Sequence, residues 1–495
     1  MDKLFLGIDL GTSCVKTVLW NPESNIIQVA SCNYPSILPS SLKVEQNPDD
    51  WYRALKTSIK LLLNKSDINI QRLEGISITG QMHGLVLVDE EGNFIRNAII
   101  WSDQRSKCQV TDFYNGFGAN NYIKITGNPL SSGFTLPSWL WIMENEKDIS
   151  KNTFKILLPK DYLRFKLTRT YYSDPSDAVS TGLFDVNECV WSQAILDFIN
   201  LKNELLPEVK GSFFNAGKLK EDVAKDLGLS PAINVYIGGG DTPVQAFGQG
   251  IDSKGTLSIG ISSGGNIIGL SDKPIIDSKG RVHCMNYLFP NSWYSMGAIM
   301  SAGDSMEWFR QNFFPHLQTK DLIKIASKAG LSPKLFFLPH INGERTPYMD
   351  PEATGMFLGL SMDNHLGDIV RSIMEGVCFS LRICFDILID IGIEFNTMIA
   401  SGGGTKSDFW MQLLTDTLNF PITKSDMENS SAFGAAMIAA IGSGSITKED
   451  IKNSMRNHSK KTFFPNKEMA KYYQKKYERF IEIYPLWNQT SNESH

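Results

Sequence analysis

Four short stretches combine glycine with residues that can handle phosphate, a metal ion or a polyhydroxylated ligand. In Gly238-Gly239-Gly240-Asp241, three glycines precede an acid, which places a carboxylate in a junction that side chains would block. Phosphoryl transfer to an alcohol needs such a group, to orient the hydroxyl and take its proton. The same Asp could instead cap a helix from Thr242-Pro243 onward, since Pro fits just inside a helix start, and the two roles are compatible. In Gly7-Ile8-Asp9-Leu10-Gly11-Thr12-Ser13, backbone N–H groups and the Thr12 and Ser13 hydroxyls could hold phosphate oxygens. There Asp9 could hold Mg²⁺ through water and Lys16 could add positive charge; a plain hairpin turn is the other reading. Ser401-Gly402-Gly403-Gly404-Thr405-Lys406-Ser407 leaves backbone open to the flat face and ribose of a nucleotide, or is a simple strand-to-helix loop. Gln81-Met82-His83-Gly84 sets an amide and an imidazole beside a glycine, able to bond sugar hydroxyls, although a lone His can also be structural. No Walker A or G-x-G-x-x-G pattern occurs at these places, so those two nucleotide folds are not indicated.

Strands must carry most of these turns. Lys3 to Asp9 is apolar and runs into Gly11-Thr12-Ser13, and alternation resumes over Val15–Trp20, with a third strand candidate at Ile26–Ala30. Gly255 to Gly265, followed by Asn266–Leu270, has the same shape: strand, Gly/Ser turn through Gly260, Ser262 and Ser263, strand. The two lie about half a chain apart, which predicts a duplicated α/β domain, each copy opening with a phosphate-sized hairpin. Short strands are expected at Ile76–Ile78, Leu85–Asp89, Ala98–Trp101, Val235–Gly240 and Thr397–Ala400. Helices are expected at Asp49–Asn64, His365–Ile391, Ala432–Ile441 and, amphipathically, Glu468–Tyr484, with the last ten residues polar and loose. The boundary between the copies is expected near Gly248–Lys254.

Composition narrows the class. The 495 residues suit two or three domains at roughly 100–200 residues each. Acids outnumber bases by 53 to 48, so a nucleic-acid or anionic-membrane partner is not expected. No run reaches the ~18 apolar residues of a membrane span. The N-terminal apolar stretch Leu4–Ile8 is too short for a signal peptide and meets Asp9. Seven scattered cysteines without a C-x-x-C pair fit a reduced, cytoplasmic setting.

The order of the stretches resembles the FGGY carbohydrate kinases of the actin/hexokinase/Hsp70-like superfamily, from about Leu4 to Gly444. Besides the four stretches above, Trp101-Ser102-Asp103-Gln104-Arg105-Ser106, Leu158-Pro159-Lys160-Asp161-Tyr162-Leu163, Gly343-Glu344-Arg345-Thr346-Pro347, Trp410 with Gln412, and Gly434-Ala435-Ala436 carry the likeness. Within the family, the members that phosphorylate D-xylulose are most similar. The resemblance implies an α/β fold of two actin-like ATPase (ribonuclease H-like) domains with a catalytic cleft between them. It implies residues 1–248 on the sugar side, 249–450 on the nucleotide side, and 451–495 as a helix and tail packing on the body. It further implies Asp241 as general base, with Asp9 and Asp241 near Mg²⁺. Gln81, Met82, His83, Trp101, Asp103 and Thr242 are implied at the sugar. Gly11, Thr12, Ser13, Lys16, Gly260, Ser262, Ser263, Gly303, Gly403, Gly404 and Ser407 are implied around ATP. The expected reaction is ATP-dependent phosphorylation of D-xylulose to its 5-phosphate, in a homodimer with no nucleic-acid or membrane partner. Ribulose, gluconate or a polyol as the sugar, a non-kinase actin-like ATPase and a sugar sensor are the alternatives. Three positions depart from the family pattern: Ile261 where Thr is usual in the second phosphate turn, Thr354 where Arg is common, and Thr242 where an amide is frequent.

Overall fold

The computed structural model describes residues 3–23, 25–64, 69–451 and 461–492. The first half is built on a six-stranded sheet: β1 (Leu4–Leu10), β2 (Cys14–Asn21), β3 (Asn25–Asn33), β4 (Leu73–Gly80), β5 (Asn215–Lys218) and β6 (Asn234–Gly240), in the order β5-β6-β4-β1-β2-β3. The second half is built on seven strands: β7 (Gly255–Ile261), β8 (Gly265–Ser271), β9 (His283–Asn286), β10 (Trp293–Ile299), β11 (Phe395–Ser401), β12 (Ile422–Lys424) and β13 (Lys461–Phe463), in the order β9-β10-β8-β7-β11-β12-β13.

The sheets coincide strand for strand. Each has an antiparallel meander of three strands, then two strands parallel to the first hairpin strand, then an antiparallel edge. The duplication expected from two similar hairpins therefore extends to whole sheets, and β9 is the one strand the second sheet adds. β1 and β7 lie mid-sheet, covered on both faces, which is why they read as nearly unbroken apolar runs.

Helices seal the sheets. α1 (Pro48–Asn64) opens with a Pro and two acids and packs Trp51, Leu55 and Ile59 under the first sheet. α2 (Asp241–Gly248) leaves the end of β6. α3 (Leu366–Asp390) is the central buried helix of the second half. α4 (Ser430–Gly442) follows β12 of the second sheet yet lies on the first: a Cβ on Gly7 would stand 1.8 Å from the Ala432 carbonyl oxygen. In exchange, Val244 and Phe247 of α2 share a core with Leu270, Tyr294 and Met296 of the second sheet. The two helices touch at Gly248 and Gly434, where added Cβ atoms would come within 2.0 Å of the Ser430 oxygen and 2.3 Å of the Val244 oxygen. The small-residue run around Gly434-Ala435-Ala436 is thus the contact that joins the halves.

Two expectations are corrected. The strands at Leu85–Asp89 and Ala98–Trp101 shorten to Val86–Val88 and Ala98–Ile99, and both pair in small sheets outside the main ones. The C-terminal segment does not end near Tyr484 in a loose tail. α5 (Lys467–Asn492) runs through Pro485, on an outer face where solvent can serve the carbonyl that a proline leaves without a partner. Its inner face, with Tyr473, Tyr477 and Phe480, packs on the second core. Residues 493–495 lie outside the described chain. No described helix is long and apolar enough to cross a membrane, and all seven cysteines are free.

Candidate active site

Asp241 is delivered by a bulge. The pairing of β6 with β4 slips between Tyr236 and Gly239, and Gly238 there takes φ +83° with the Ile78 carbonyl where a Cβ would stand. An extra residue bends the strand and re-aims the side chains beyond it. A Cβ on Gly239 would meet Leu288 and Ser176, and one on Gly240 would meet the Met82 sulfur at 2.9 Å. The glycine run is therefore a crowded junction, as its composition predicts. Gly240, not Asp241, occupies the cap of α2, and Asp241 is the first helical residue, which corrects the cap reading. Burial pushes the Asp241 carboxyl up to about 6, against a hydrogen bond from the Thr242 hydroxyl (3.2 Å), another from the Thr242 backbone, and the charge of Arg345.

Asp9 faces Lys16 across the first hairpin. Burial, then the charge of Asp241, raises its pKa to about 7, and Lys16 opposes both. Two carboxylates half a chain apart thus share one field. The turn beyond them is clamped from several sides. Tyr34 donates to the Gly11 carbonyl, Gln46 Nε2 to the Thr12 carbonyl (2.7 Å), and Trp101 Nε1 to Thr12 Oγ1 (3.0 Å). An indole N–H only donates, so the Thr12 hydroxyl accepts there and keeps its own proton for another acceptor. Ser13 is exposed.

Met82 and His83 lie at the same junction. Met82 packs on Gly240. His83 holds φ +71°, uncommon for a side-chain-bearing residue. Its backbone N–H donates to Ser180 Oγ (3.0 Å), its Nδ1 lies 2.7 Å from the Ser180 carbonyl, and its ring stacks on Phe134 at 4.0 Å. A carbonyl only accepts, so Nδ1 carries the proton and Nε2 is an acceptor. Burial, reinforced by the Arg345 charge, lowers the imidazole to about 3 and keeps it neutral.

A buried polar core stands behind the junction. The Lys160 ammonium lies 2.6 Å from Asp161, 2.9 Å from Asp174 and 3.5 Å from Asp177, all fully buried. Asp174 accepts from Ser212 (3.0 Å) and from Ser176, whose hydroxyl receives the Gly240 N–H (3.2 Å). Asp177 accepts from Ser180 (3.3 Å). One network therefore anchors both Gly240 and the serine that holds His83. The sequence showed Lys160 and Asp161 only as part of a matching stretch, and nothing in it pointed to Ser176 or Ser180.

Other candidates serve as braces. Gln81 donates to Gln46 Oε1 (2.8 Å), which also receives the Trp51 N–H (3.0 Å), so it steadies the first turn through Gln46. The Asp103 carboxylate is fully buried and taken up by Arg105 at 2.8–3.0 Å and the Val44 N–H at 2.6 Å. Between the halves a cavity of about 680 Å³ is lined by Trp101 and Phe134 on one side and His283, Met300 and Arg345 on the other.

The second turn is supported differently. Gly260 holds the strand position that Asp9 holds in β1, and Ile261 ends its strand as Leu10 does, both fully buried. Ser262 and Ser263 are exposed, and their carbonyls accept N–H groups from Ala302 (2.7 Å), Gly303 (2.8 Å) and Asp304 (3.1 Å) at the start of helix Gly303–Phe313. A Cβ on Gly404 would stand 2.4 Å from the Ile261 Cγ2, while Gly403 faces open space. Gly260, Ser262, Ser263, Gly303, Gly403 and Gly404 thus form one small-residue surface with Ile261 beneath it. Ile261 points into the core, so its missing hydroxyl does not bear on that surface. Ser407 sits apart as the cap of helix Asp408–Leu418, accepting the Trp410 N–H (3.2 Å).

The donors fit a magnesium ion brought by a nucleotide. Mg²⁺ takes hard oxygen ligands, keeps waters, and commonly uses one or two carboxylates plus substrate phosphates. Asp9 and Asp241 supply two carboxylates, both raised chiefly by burial and Asp9 also by the charge of Asp241, so a cation beside them would favour their ionised forms. Among the described residues no cluster of three or more His, Cys, Asp or Glu marks a resident metal cage.

Two sheets of matching order, facing each other across a cleft with a glycine-rich turn on each side, define a two-domain phosphotransferase of the actin-like ATPase fold. Residues 4–248 match the N-terminal domain of the FGGY family of carbohydrate kinases and residues 256–443 its C-terminal domain, so the chain belongs to that family and is a carbohydrate kinase. The chain is 36% identical over 443 residues to the xylulose kinase of Staphylococcus xylosus, covering 88% of this chain and 90% of that one. A ligand-bound xylulose kinase from Lactobacillus acidophilus matches with a TM-score of 0.94 at 26% identity, covering 100% of both chains. A gluconate kinase from the same organism matches with a TM-score of 0.92 at 26% identity, covering 98% of both chains.

Proposed function

We propose that this carbohydrate kinase transfers the γ-phosphoryl group of ATP to the 5-hydroxyl of D-xylulose, with Asp241 as the base. The observation that supports it most is the placement of Asp241: a recessed carboxylate with a pKa of about 6, beside Thr242, Met82 and His83 and facing Arg345 of the other half. Such a carboxylate is mostly ionised at neutral pH and still basic enough to take a proton. In this reading the sugar lies against Met82, His83, Thr242 and the Trp101 edge of the cavity, with Gln81 and Asp103 bracing that wall. The 5-hydroxyl gives its proton to Asp241 as its oxygen attacks the γ-phosphorus, and the bond to the β-phosphate oxygen breaks to release ADP. The Gly11, Thr12 and Ser13 turn, with Lys16, receives the transferring phosphates. Gly260, Ser262, Ser263, Gly303, Gly403, Gly404 and the Ser407 end of the loop receive the rest of ATP. Mg²⁺, held from the side of Asp9 and Asp241, supplies charge neutralisation for the phosphates when bound.

D-xylulose is favoured by the xylulose kinases among the relatives, and gluconate by a gluconate kinase of nearly equal structural likeness. ADP release measured over D-xylulose, D-ribulose, gluconate and xylitol tests the reading. D-xylulose is expected to have the highest kcat/KM, and a clearly higher value for another member overturns the substrate assignment.

A further inference from the structure

On the second-half wall of the cleft, one buried ring nitrogen has no hydrogen-bond partner among the described residues, and one guanidinium is engaged only by a ring face. The first is His283 of β9, 4% exposed. The Asn128 amide nitrogen donates to the carbonyls of Thr126 and Cys284, which leaves its Oδ1 facing His283 Nδ1 at 3.0 Å. An amide oxygen only accepts, so Nδ1 carries the proton and Nε2 is a bare acceptor. That Nε2 is buried and finds no hydrogen-bonding group. Burial, with the nearby charge of Arg345, lowers the ring to about 3, so it stays neutral. The second is Arg345, whose guanidinium lies 5.8 Å over the Trp101 ring and feels the charges of Glu344 and Asp241, without an ion pair to either among the described residues. Both line the cavity, as does Phe134, which stacks on His83. Phe134 thus separates the cavity from His83 by one ring, and the charges of Arg345 and Asp241 act on each other across the junction. Buried polar groups are rarely left unpaired, because desolvation without a partner is unfavourable.

We propose that His283 and Arg345 together recognise the hydroxyketone end of the sugar, with Arg345 donating to the carbonyl oxygen and His283 Nε2 accepting from the adjacent 1-hydroxyl. The inference rests on the sugar occupying the cleft beside Asp241. Its chemistry is selective. An acceptor beside a donor suits a carbonyl next to a hydroxyl. The carboxylate of a sugar acid offers acceptors only, so it can answer Arg345 but not His283, which would need that acid's 2-hydroxyl instead.

The test uses the full-length enzyme, with D-xylulose and 1-deoxy-D-xylulose, which lacks the 1-hydroxyl. The wild type is expected to prefer D-xylulose by at least tenfold in kcat/KM. His283→Phe is expected to erase that preference, by raising the KM for D-xylulose at least tenfold while the KM for ATP stays within twofold. His283→Gln, whose amide oxygen can accept, should restore part of it. Arg345→Met should raise the KM for both sugars at least tenfold, again without moving the KM for ATP. If the preference persists in folded His283→Phe, the assignment is overturned. If His283→Phe does not fold, His283→Leu, which likewise has no acceptor, carries the measurement under the same criteria. If the wild type favours a different sugar, the variants are assayed with that one. A tenfold rise in its KM then upholds the pair while the D-xylulose reading falls, and a change within twofold overturns both.

Discussion

The two hairpin turns occupy the same place in two sheets of the same order, yet different forces hold them. The Gly11–Ser13 turn is clamped by side chains: Tyr34, Gln46 and Trp101 each donate to it. The Ser262–Gly264 turn is held by backbone, through N–H groups at the start of helix Gly303–Phe313, and by close packing of Gly404 on Ile261. At the matching strand position the first copy carries Asp9 and the second carries Gly260. Duplication supplied two equivalent phosphate-sized turns. Charge stands beside one and bare backbone beside the other, which in the proposed reading separates chemistry from nucleotide holding.

The largest expected effect concerns the charged side. Asp241→Asn should lower kcat on the order of 10³-fold, the range for loss of a general base, measured by coupled ADP release. The same change should raise stability above pH 6. The carboxyl is held above its unfolded value of 3.8, so the folded state binds its proton more tightly, and stability is lost as pH rises from about 4 through about 6. Removing that group should return on the order of 2 kcal/mol at pH 7.5, read by denaturant unfolding. A variant that stayed active would place the chemistry elsewhere.

Next in size is the pH profile. With Asp241 needed as the anion, kcat/KM for the sugar should fall about tenfold per pH unit below about 6. A flat profile down to pH 5 would mean that this carboxylate does not titrate in the rate.

The second turn offers a smaller effect of another kind. Gly402 has φ +95° and its Cβ position lies 2.4 Å from the Ile261 carbonyl oxygen. Gly402→Ala should raise the KM for ATP roughly tenfold and cost on the order of 1–3 kcal/mol of stability from the strained backbone, with the sugar KM little changed. An equal rise in both KM values would argue against a division of labour between the turns.

Ile261→Thr should have the smallest effect on activity. The side chain lies in the core, so the KM for ATP should stay within about twofold, while the buried hydroxyl lowers stability by about 1–3 kcal/mol. A clear gain in ATP affinity would show that the hydroxyl reaches the nucleotide.

Local pattern carried much of this. Apolar runs ending in Gly, Thr and Ser located both hairpins, because strand period and turn chemistry are properties of neighbouring residues. The glycine run before Asp241 announced a crowded junction, and it is one. The cap reading failed because Gly240 takes the cap and Asp241 the first turn, and the bulge before them depends on register against a distant strand, which is not a local property. Asp103, placed at the sugar by the family resemblance, and Gln81, by its amide beside a glycine, are engaged by Arg105 with Val44 and by Gln46, partners that no local pattern shows.

What the chain by itself determined is the set of elements, the duplication and the residue types that phosphoryl transfer needs, since these arise from periodicity, glycine and the chemistry of side chains. Only the tertiary structure decided which groups meet. It set Asp9 and Asp241 in one field, tied Gly240 and His83 to Lys160 through Ser176 and Ser180, and left His283 Nε2 unpaired near Arg345 on the opposite wall. The reason is physical: burial and electrostatics depend on distances through space, and here residues hundreds of positions apart in the chain are brought together by the exchange of α2 and α4 between the halves.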